Sequence, residues 1–295
     1  MTSLMQLVVS GFALGMVYAL IAIGFVIILK CSNVFNIAQG HFVLLGGYLG
    51  YTYLVTFNLP LWAALILAIA SAVVIGLLIE RLTLRPLIGQ PVLAVVMMTI
   101  ALSVVIEGLA TLIWGGEYKT YHGVLPTFTL RVGEISLPPE SMIGLVVSLL
   151  VVLILMLFFR YTKSGLAMRA TAEDEQVVQS TGIKVTTVYA LSWVIACIVG
   201  VIGGILLGGV SGVMVPLAEI GIKAFAVVLL GGVNSIGGAI VAGIILGVLE
   251  NVAAGYLDPL LPGGGLANVF PFIVMIIVLI FRPYGLFGLV RIERI

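Results

Sequence analysis

Residues 4–29 read LMQLVVSGFALGMVYALIAIGFVIIL and hold no Asp, Glu, Lys or Arg. A helix rises 1.5 Å per residue, so about 20 apolar residues cross the hydrocarbon core of a bilayer. This stretch therefore reads as a membrane-spanning helix. It is too long for the apolar core of a signal peptide and has no basic residue ahead of it, so a cleavable leader is not expected. Further apolar runs follow at 42–57, 61–79, 92–114, 141–159, 188–209, 222–256 and 269–281. The run at 222–256 exceeds one crossing and is interrupted at Gly231-Gly232-Val233-Asn234-Ser235-Ile236-Gly237-Gly238, which predicts two closely connected helices. The sum is about nine crossings.

Composition agrees with that reading. Of 295 residues, 62% are apolar and only 8% charged, whereas a water-soluble chain carries about a quarter charged residues. The expectation is an all-α polytopic membrane protein, a compact bundle of about 8–10 transmembrane helices in one unit over 1–295. A net charge of +1 gives no field that would attract nucleic acid. The two cysteines, Cys31 and Cys197, form no disulfide framework and read as small packing residues.

Nine of the thirteen basic residues fall in one set of connections: Arg81 and Arg85, then Arg160, Lys163, Arg169 and Lys184, then Arg282, Arg291 and Arg294. The positive-inside rule makes that side cytoplasmic. The opposite loop, 115–140, mixes Lys119 and Arg131 with Glu117, Glu134 and Glu140 and holds Pro126, Pro138 and Pro139; it is expected outside. An odd number of crossings then leaves the C-terminus in the cytoplasm and the N-terminus outside.

Glycine is abundant and recurs within helices. Ala196, Gly200, Gly204, Gly208 and Gly212 form one small-residue stripe, and Ala239, Gly243, Gly247 and Gly255 another, broken by Asn251. Stripes at this spacing let helix backbones approach closely, which predicts tight packing within the bundle.

Charged groups at membrane depth cost about 2.5–3.5 kcal/mol at a helix centre, so each needs a reason. Glu107 lies about four residues past the midpoint of its run, and Glu250 sits beside Asn251 near the end of the hairpin. Each can line a wet path or bind an ammonium, or be neutralised by its neighbours. Lys223 is expected to snorkel. Between the first two runs, Asn33-Val34-Phe35-Asn36-Ile37-Ala38-Gln39-Gly40-His41 is too short to leave the membrane as an ordinary loop. Its backbone must be satisfied by protein or trapped water. Asn36, Gln39 and His41 suit either substrate contacts or turn capping.

The connection at 160–187 reads as ordered. Thr171 is expected to cap a short helix near 172–181, with Asp174 three residues on, Glu173, Asp174 and Glu175 at the positive end, and Gly182 as the stop. Such a charged helix outside the membrane is a natural knob for a soluble partner.

Several ordered blocks resemble the permease subunits of the branched-chain amino acid ABC importers, specifically the shorter of the two paired permeases. They are Gly15-Met16-Val17-Tyr18-Ala19-Leu20-Ile21-Ala22-Ile23-Gly24, Asn36-Ile37-Ala38-Gln39-Gly40, and Glu80-Arg81-Leu82-Thr83-Leu84-Arg85-Pro86. Arg169-Ala170-Thr171-Ala172-Glu173-Asp174 with Thr181-Gly182-Ile183 is similar to the family's coupling segment, and Lys223-Ala224-Phe225 through Gly237-Gly238-Ala239 to its glycine-rich hairpin. The resemblance implies a transport subunit without chemistry, cofactor or metal of its own. Its implied partners are a second homologous permease, two cytoplasmic ATP-binding subunits and an extracytoplasmic solute-binding protein, all in a lipid membrane of the bacterial plasma type. The chain has no Gly-x-x-x-x-Gly-Lys-Ser/Thr of its own, so the energy would come from such a partner or from an ion gradient. By the resemblance Arg169, Glu173, Asp174 and Gly182 couple to the ATPases, and Tyr18, Asn36, Gln39, His41, Glu107, Glu250 and Asn251 are candidate pathway residues. His41 stands where many relatives place a glutamate, and Glu107-Gly108 where many have an amide pair. The expected cargo is accordingly a branched-chain amino acid or a related small solute such as urea or an amide.

An ion-coupled carrier using Glu107 and Glu250 is the alternative, but it has no use for a coupling helix. An intramembrane enzyme lacks a nucleophile and base pair, since His41 and His122 are the only histidines and His122 lies in the outer loop. Val17-Tyr18-Ala19-Leu20 recurs as Val188-Tyr189-Ala190-Leu191, the kind of match that hints at an internal repeat or arises by chance in so apolar a chain.

Overall fold

The computed structural model describes residues 4–121, 130–132, 135–260 and 265–288. His122, Pro126, Glu134, Arg291 and Arg294 lie outside the described residues. The chain is an all-α polytopic membrane protein. Its helices are α1 (Leu4–Ser32), α2 (Gln39–Tyr51), α3 (Leu61–Ile79), α4 (Val92–Trp114), α5 (Pro139–Tyr161), α6 (Lys163–Glu173), α7 (Glu175–Ser180), α8 (Val185–Ser211), α9 (Ile220–Gly231), α10 (Ile236–Tyr256) and α11 (Leu266–Phe281). A hairpin of two three-residue strands, β1 (Leu130–Val132) and β2 (Ile135–Leu137), precedes α5.

Six of these helices, α1, α3, α4, α5, α8 and α10, are long and apolar enough to cross a bilayer alone. The other three helices formed by the apolar runs, α2, α9 and α11, are shorter. The run at 42–57 becomes α2, which ends in a π-helical turn at Thr52–Thr56. The run at 222–256 is two helices, as its glycines suggested: α9 stops at Gly231, Gly232 takes φ +101°, and the Ser235 hydroxyl caps α10 by accepting from the Gly238 N–H at 2.9 Å.

α1 is apolar on all sides and correspondingly central, with Ala19 to Ile23 fully buried between α5, α8, α9 and α10. The perimeter is the reverse: α3, α4 and α5 turn Leu67, Val104, Leu112, Leu149 and Leu153 outward, the surface a lipid-facing wall requires. Both small-residue stripes are used inside the subunit. On α10, Gly243 and Gly247 lie against the α1 backbone at Gly11 and Gly15, and on α8, Gly204 lies against the Val43 carbonyl of α2. A Cβ at any of these positions would fall on main-chain atoms.

The two ends of the bundle follow from these contacts. Gln6 donates to the Ser136 carbonyl at 3.3 Å and Gly255 packs on Leu7, so the start of α1, the β-hairpin and the end of α10 share one end. Cys31 contacts the Met168 carbonyl, and Gly232 lies against Gly288, which puts the end of α1, the α6–α7 segment and the last described residues at the other. The termini of the described chain are therefore on opposite sides. Across the bundle, α8, α9 and α10 repeat the order of α1, α2 and α3 with reversed direction. α1 packs on α10 as α8 packs on α3, and α2 on α8 as α9 on α1. The repeated tetrapeptide does not mark this symmetry, because Val17 lies midway along α1 and Val188 in the first turn of α8.

The single helix expected at 172–181 is a helical elbow. Thr162 caps α6 by accepting from the Gly165 N–H at 2.9 Å, and Asp174 caps α7 by accepting from Gln176 and Val177 N–H at 2.9 and 3.1 Å. Thr171 is not a cap; it lies within α6, and its hydroxyl donates to the Ala167 carbonyl at 2.9 Å. The Asp174 carboxylate offers those two N–H groups a partner with its own backbone extended (φ −155°, ψ 108°), which breaks the helix there. Gly182 has φ +85°, the left-handed conformation expected of the stop.

Candidate functional site

Two short helices meet head to head inside the bundle. α1 ends at Asn33 in the left-handed conformation (φ +53°), and the chain turns back over residues 34–38 before α2 begins. Asn36 makes that turn: its Oδ1 accepts from the Ala38 N–H at 3.1 Å and its Nδ2 donates to Gln39 Oε1 at 3.2 Å. Gln39 in turn donates to the Ala196 carbonyl of α8 at 3.0 Å. Thr99 of α4 receives the Ile37 N–H at 3.3 Å. On the other half, the 3-10 turn Val215–Glu219 leads into α9. Gly40, in the first turn of α2, then touches Gly221 of α9 and the Ala218 carbonyl with no side chain between them.

Beside this junction a cavity of about 590 Å³ opens, lined from the α2 side by Ile37 and His41, from α1 by Phe25, from α4 by Val96 and Glu107, and from the second half by Pro216, Glu219, Ile222 and Phe225. Its apolar wall is aromatic: the Phe225 ring lies 5.5 Å from Phe35 and 6.0 Å from Phe25, centroid to centroid. Its polar wall is a pair, with His41 Nε2 3.3 Å from Glu107 Oε2. The imidazole is largely buried and the carboxylate half exposed, at 16% and 47%. Glu219 is exposed at the rim.

A second cavity, of about 490 Å³, shares Pro216, Glu219 and Ile222 with the first and is lined further by Lys223, Asn268 and Phe272. Here Lys223 does not snorkel. Its ammonium donates to Glu250 Oε1 of α10 at 2.6 Å and to Asn268 Oδ1 of α11 at 3.1 Å, so one buried ion pair ties three helices together.

The candidate pathway residues thus separate into groups. His41 and Glu107 come together on the first cavity. Asn36 and Gln39 are buried and turned away from it, their polar atoms used by the turn and by α8. Glu250 is engaged by Lys223, with buried Tyr18 beside it. Asn251 lies elsewhere: it donates to the Gly247 carbonyl at 3.3 Å and opens, with Ser10 and Ser141, onto a smaller space between α1, α5, α8 and α10. Arg169, Glu173, Asp174 and Gly182 are all exposed on the elbow, and among the described residues neither Arg169 nor Glu173 has an ion-pair partner.

Sequence reasoning missed Glu219, Thr99, Asn268 and the role of Glu175, whose carboxylate accepts from the Tyr189 hydroxyl at 2.9 Å and fastens α7 to α8. Glu219 carried a readable signal, an acid at the start of a helix just after a proline. At the far end, the buried Tyr121 hydroxyl donates to the Gly47 carbonyl at 2.7 Å, and its burial pushes the phenol well above its ordinary range.

The comparisons with known proteins agree along the chain. Residues 7–279 match the family model described as "Branched-chain amino acid transport system / permease component". The chain is 32% identical to the high-affinity branched-chain amino acid transport system permease protein BraD of Pseudomonas aeruginosa, over 99% of this chain and 98% of that one. It is 30% identical to the corresponding protein LivH of Salmonella typhimurium, over 99% and 97%. The probable branched-chain amino acid transport permease protein LivH of Methanocaldococcus jannaschii is 30% identical over 91% and 88%.

Proposed function

The chain belongs to the family of branched-chain amino acid transport permease components, and from that premise we propose that it works with a second homologous permease, two ATP-binding subunits and a solute-binding protein to import branched-chain amino acids or a related small solute. Residues 1–295 are then one permease unit in a bacterial-type plasma membrane. The α6–α7 end faces the cytoplasm, where Arg81, Arg85, Arg160, Lys163, Arg169 and Lys184 cluster, and residues 115–140 face outside with the N-terminus. The binding protein delivers its solute on that outer side.

One observation carries the reading: a cavity at a half-helix junction and an exposed helical elbow occur on the same chain. Short helices meeting at depth leave polar groups free to face a solute without an open sheet or loop in lipid. His41 and Glu107 supply such groups. The elbow supplies the lever, because Asp174 and Gly182 fix its two bends while Arg169 and Glu173 remain free for a partner. Docking of the ATPase there converts nucleotide-driven closure into movement of α5 and α8, to which the elbow is joined.

The test is to tag the chain at its C-terminus, extract it gently and identify co-purifying proteins, then reconstitute the assembly. A second permease, ATP-binding subunits and ATP-dependent uptake are expected. Recovery of the chain alone, with uptake that follows an ion gradient, would overturn the reading.

A further inference from the structure

The cavity at the half-helix junction has a one-sided charge. Among its described lining residues only His41, Glu107 and Glu219 carry ionisable side chains, and none of those residues is a Lys or Arg. Glu107 is engaged by His41. Glu219 has no hydrogen-bond or ion-pair partner among the described residues. The nearest base in sequence, Lys223, is one turn further along α9, lines the neighbouring cavity and is held there by Glu250 and Asn268. Two carboxylates and one imidazole therefore face this space, with no permanently cationic side chain among the described lining residues.

A solute that fills this space displaces water from Glu219 and covers the phenyl rings of Phe25, Phe35 and Phe225. An anion is repelled by the fixed charge. An uncharged amide offers the exposed Glu219 carboxylate a hydrogen bond but no opposite charge. A solute with an ammonium on an apolar body satisfies both walls, the carboxylate taking the ammonium and the rings taking the body. We propose that Glu219, backed by Glu107, is a specificity-determining residue that makes this cavity pass ammonium-bearing apolar solutes in preference to anions, urea and amides. The assignment rests on the importer reading and narrows its cargo.

Electrostatic selection can be measured without ATP. A thiol placed at Ile222→Cys, exposed on the same lining, is reacted in membranes with a cationic trimethylammonium-ethyl and an anionic sulfonato-ethyl thiosulfonate. Each rate is normalised to that of a small free thiol. Cys31 and Cys197 are buried, and the chain without the new thiol sets the background. The cationic reagent is expected to be favoured by about tenfold or more, and Glu219→Gln to remove most of that preference. No preference in the parent, or one unchanged by Glu219→Gln, overturns the proposal. In the reconstituted assembly, Glu219→Gln is expected to slow leucine uptake about tenfold while binding-protein-stimulated ATP hydrolysis persists, and Glu219→Asp to restore part of the uptake. Equal leucine uptake in the native and Gln forms also overturns it. Cationic preference at Ile222→Cys together with no ATP-driven uptake by the native assembly counts against the importer and leaves the charge selection standing.

Discussion

At the residue scale the buried ion pair is the most exposed to test. Lys223 and Glu250 lie 2.6 Å apart between α9 and α10, and removing one partner strands the other's charge out of water. Lys223→Ala is expected to lower the stability of the purified chain by about 3–5 kcal/mol, seen as a fall in its midpoint of thermal unfolding, whereas Lys223→Met with Glu250→Leu should recover most of the loss. Equal losses in the single and double variants would show that shape, and not the unpaired charge, is what matters there. Tyr121 gives a pH dependence. Its phenol is raised by burial, so folding gains nothing from its titration at neutral pH, where both states hold the proton. Above about pH 10 the unfolded chain loses that proton before the folded one, and stability must fall. Tyr121→Phe should flatten that alkaline loss in a pH series of unfolding midpoints.

Elements show which patterns can be read from a sequence and which cannot. The long spans were legible because about 20 apolar residues in a row admit few alternatives. α2 and α9 were legible as apolar runs with polar or glycine ends, but not as short helices that stop at the junction, because the turn at Asn36 and the contact of Gly40 with Gly221 are tertiary. The elbow was half legible. Gly182 was found from its conformational need, but the cap was placed at Thr171 because its spacing to Asp174 mimics a capping box, and the stronger acceptor was the aspartate itself. Asp174→Ala removes both of those bonds, which costs about 1 kcal/mol of α7 stability. It is expected to reduce ATP-driven uptake while leaving insertion and cavity labelling intact. Glu173→Ala, which breaks no ion pair among the described residues, should do the same by weakening ATPase recruitment in a pull-down. Normal uptake in both would remove the elbow from the coupling path.

Over the whole molecule, the reversed order of α1–α3 in α8–α10 accounts for features that no local stretch explains. It places α2 and α9 head to head, gives each long central helix an equivalent partner, and sets the cavity on the line between the halves. Of the candidate site, His41 was legible in the polar patch before α2, and Glu107 and Glu250 because charge stood out against an apolar run. Their partners, His41 and Lys223, are brought in by the tertiary fold across 66 and 27 positions of sequence, and that pairing leaves no mark in a linear pattern. The glycine contact at the centre has a mechanical meaning. Gly40 and Gly221 meet as bare main chain, so the joint has no teeth. No side chain has to leave a socket for one half to shift on the other there, and the Gln39 bond to the Ala196 carbonyl of α8 is the neighbouring tether that crosses between the halves. A methyl group at Gly40 would be a tooth on a smooth bearing. Gly40→Ala puts its methyl on the Ala218 carbonyl and the Gly221 main chain, and is expected to force α2 and α9 apart, read as a fall in the midpoint of thermal unfolding of the purified chain.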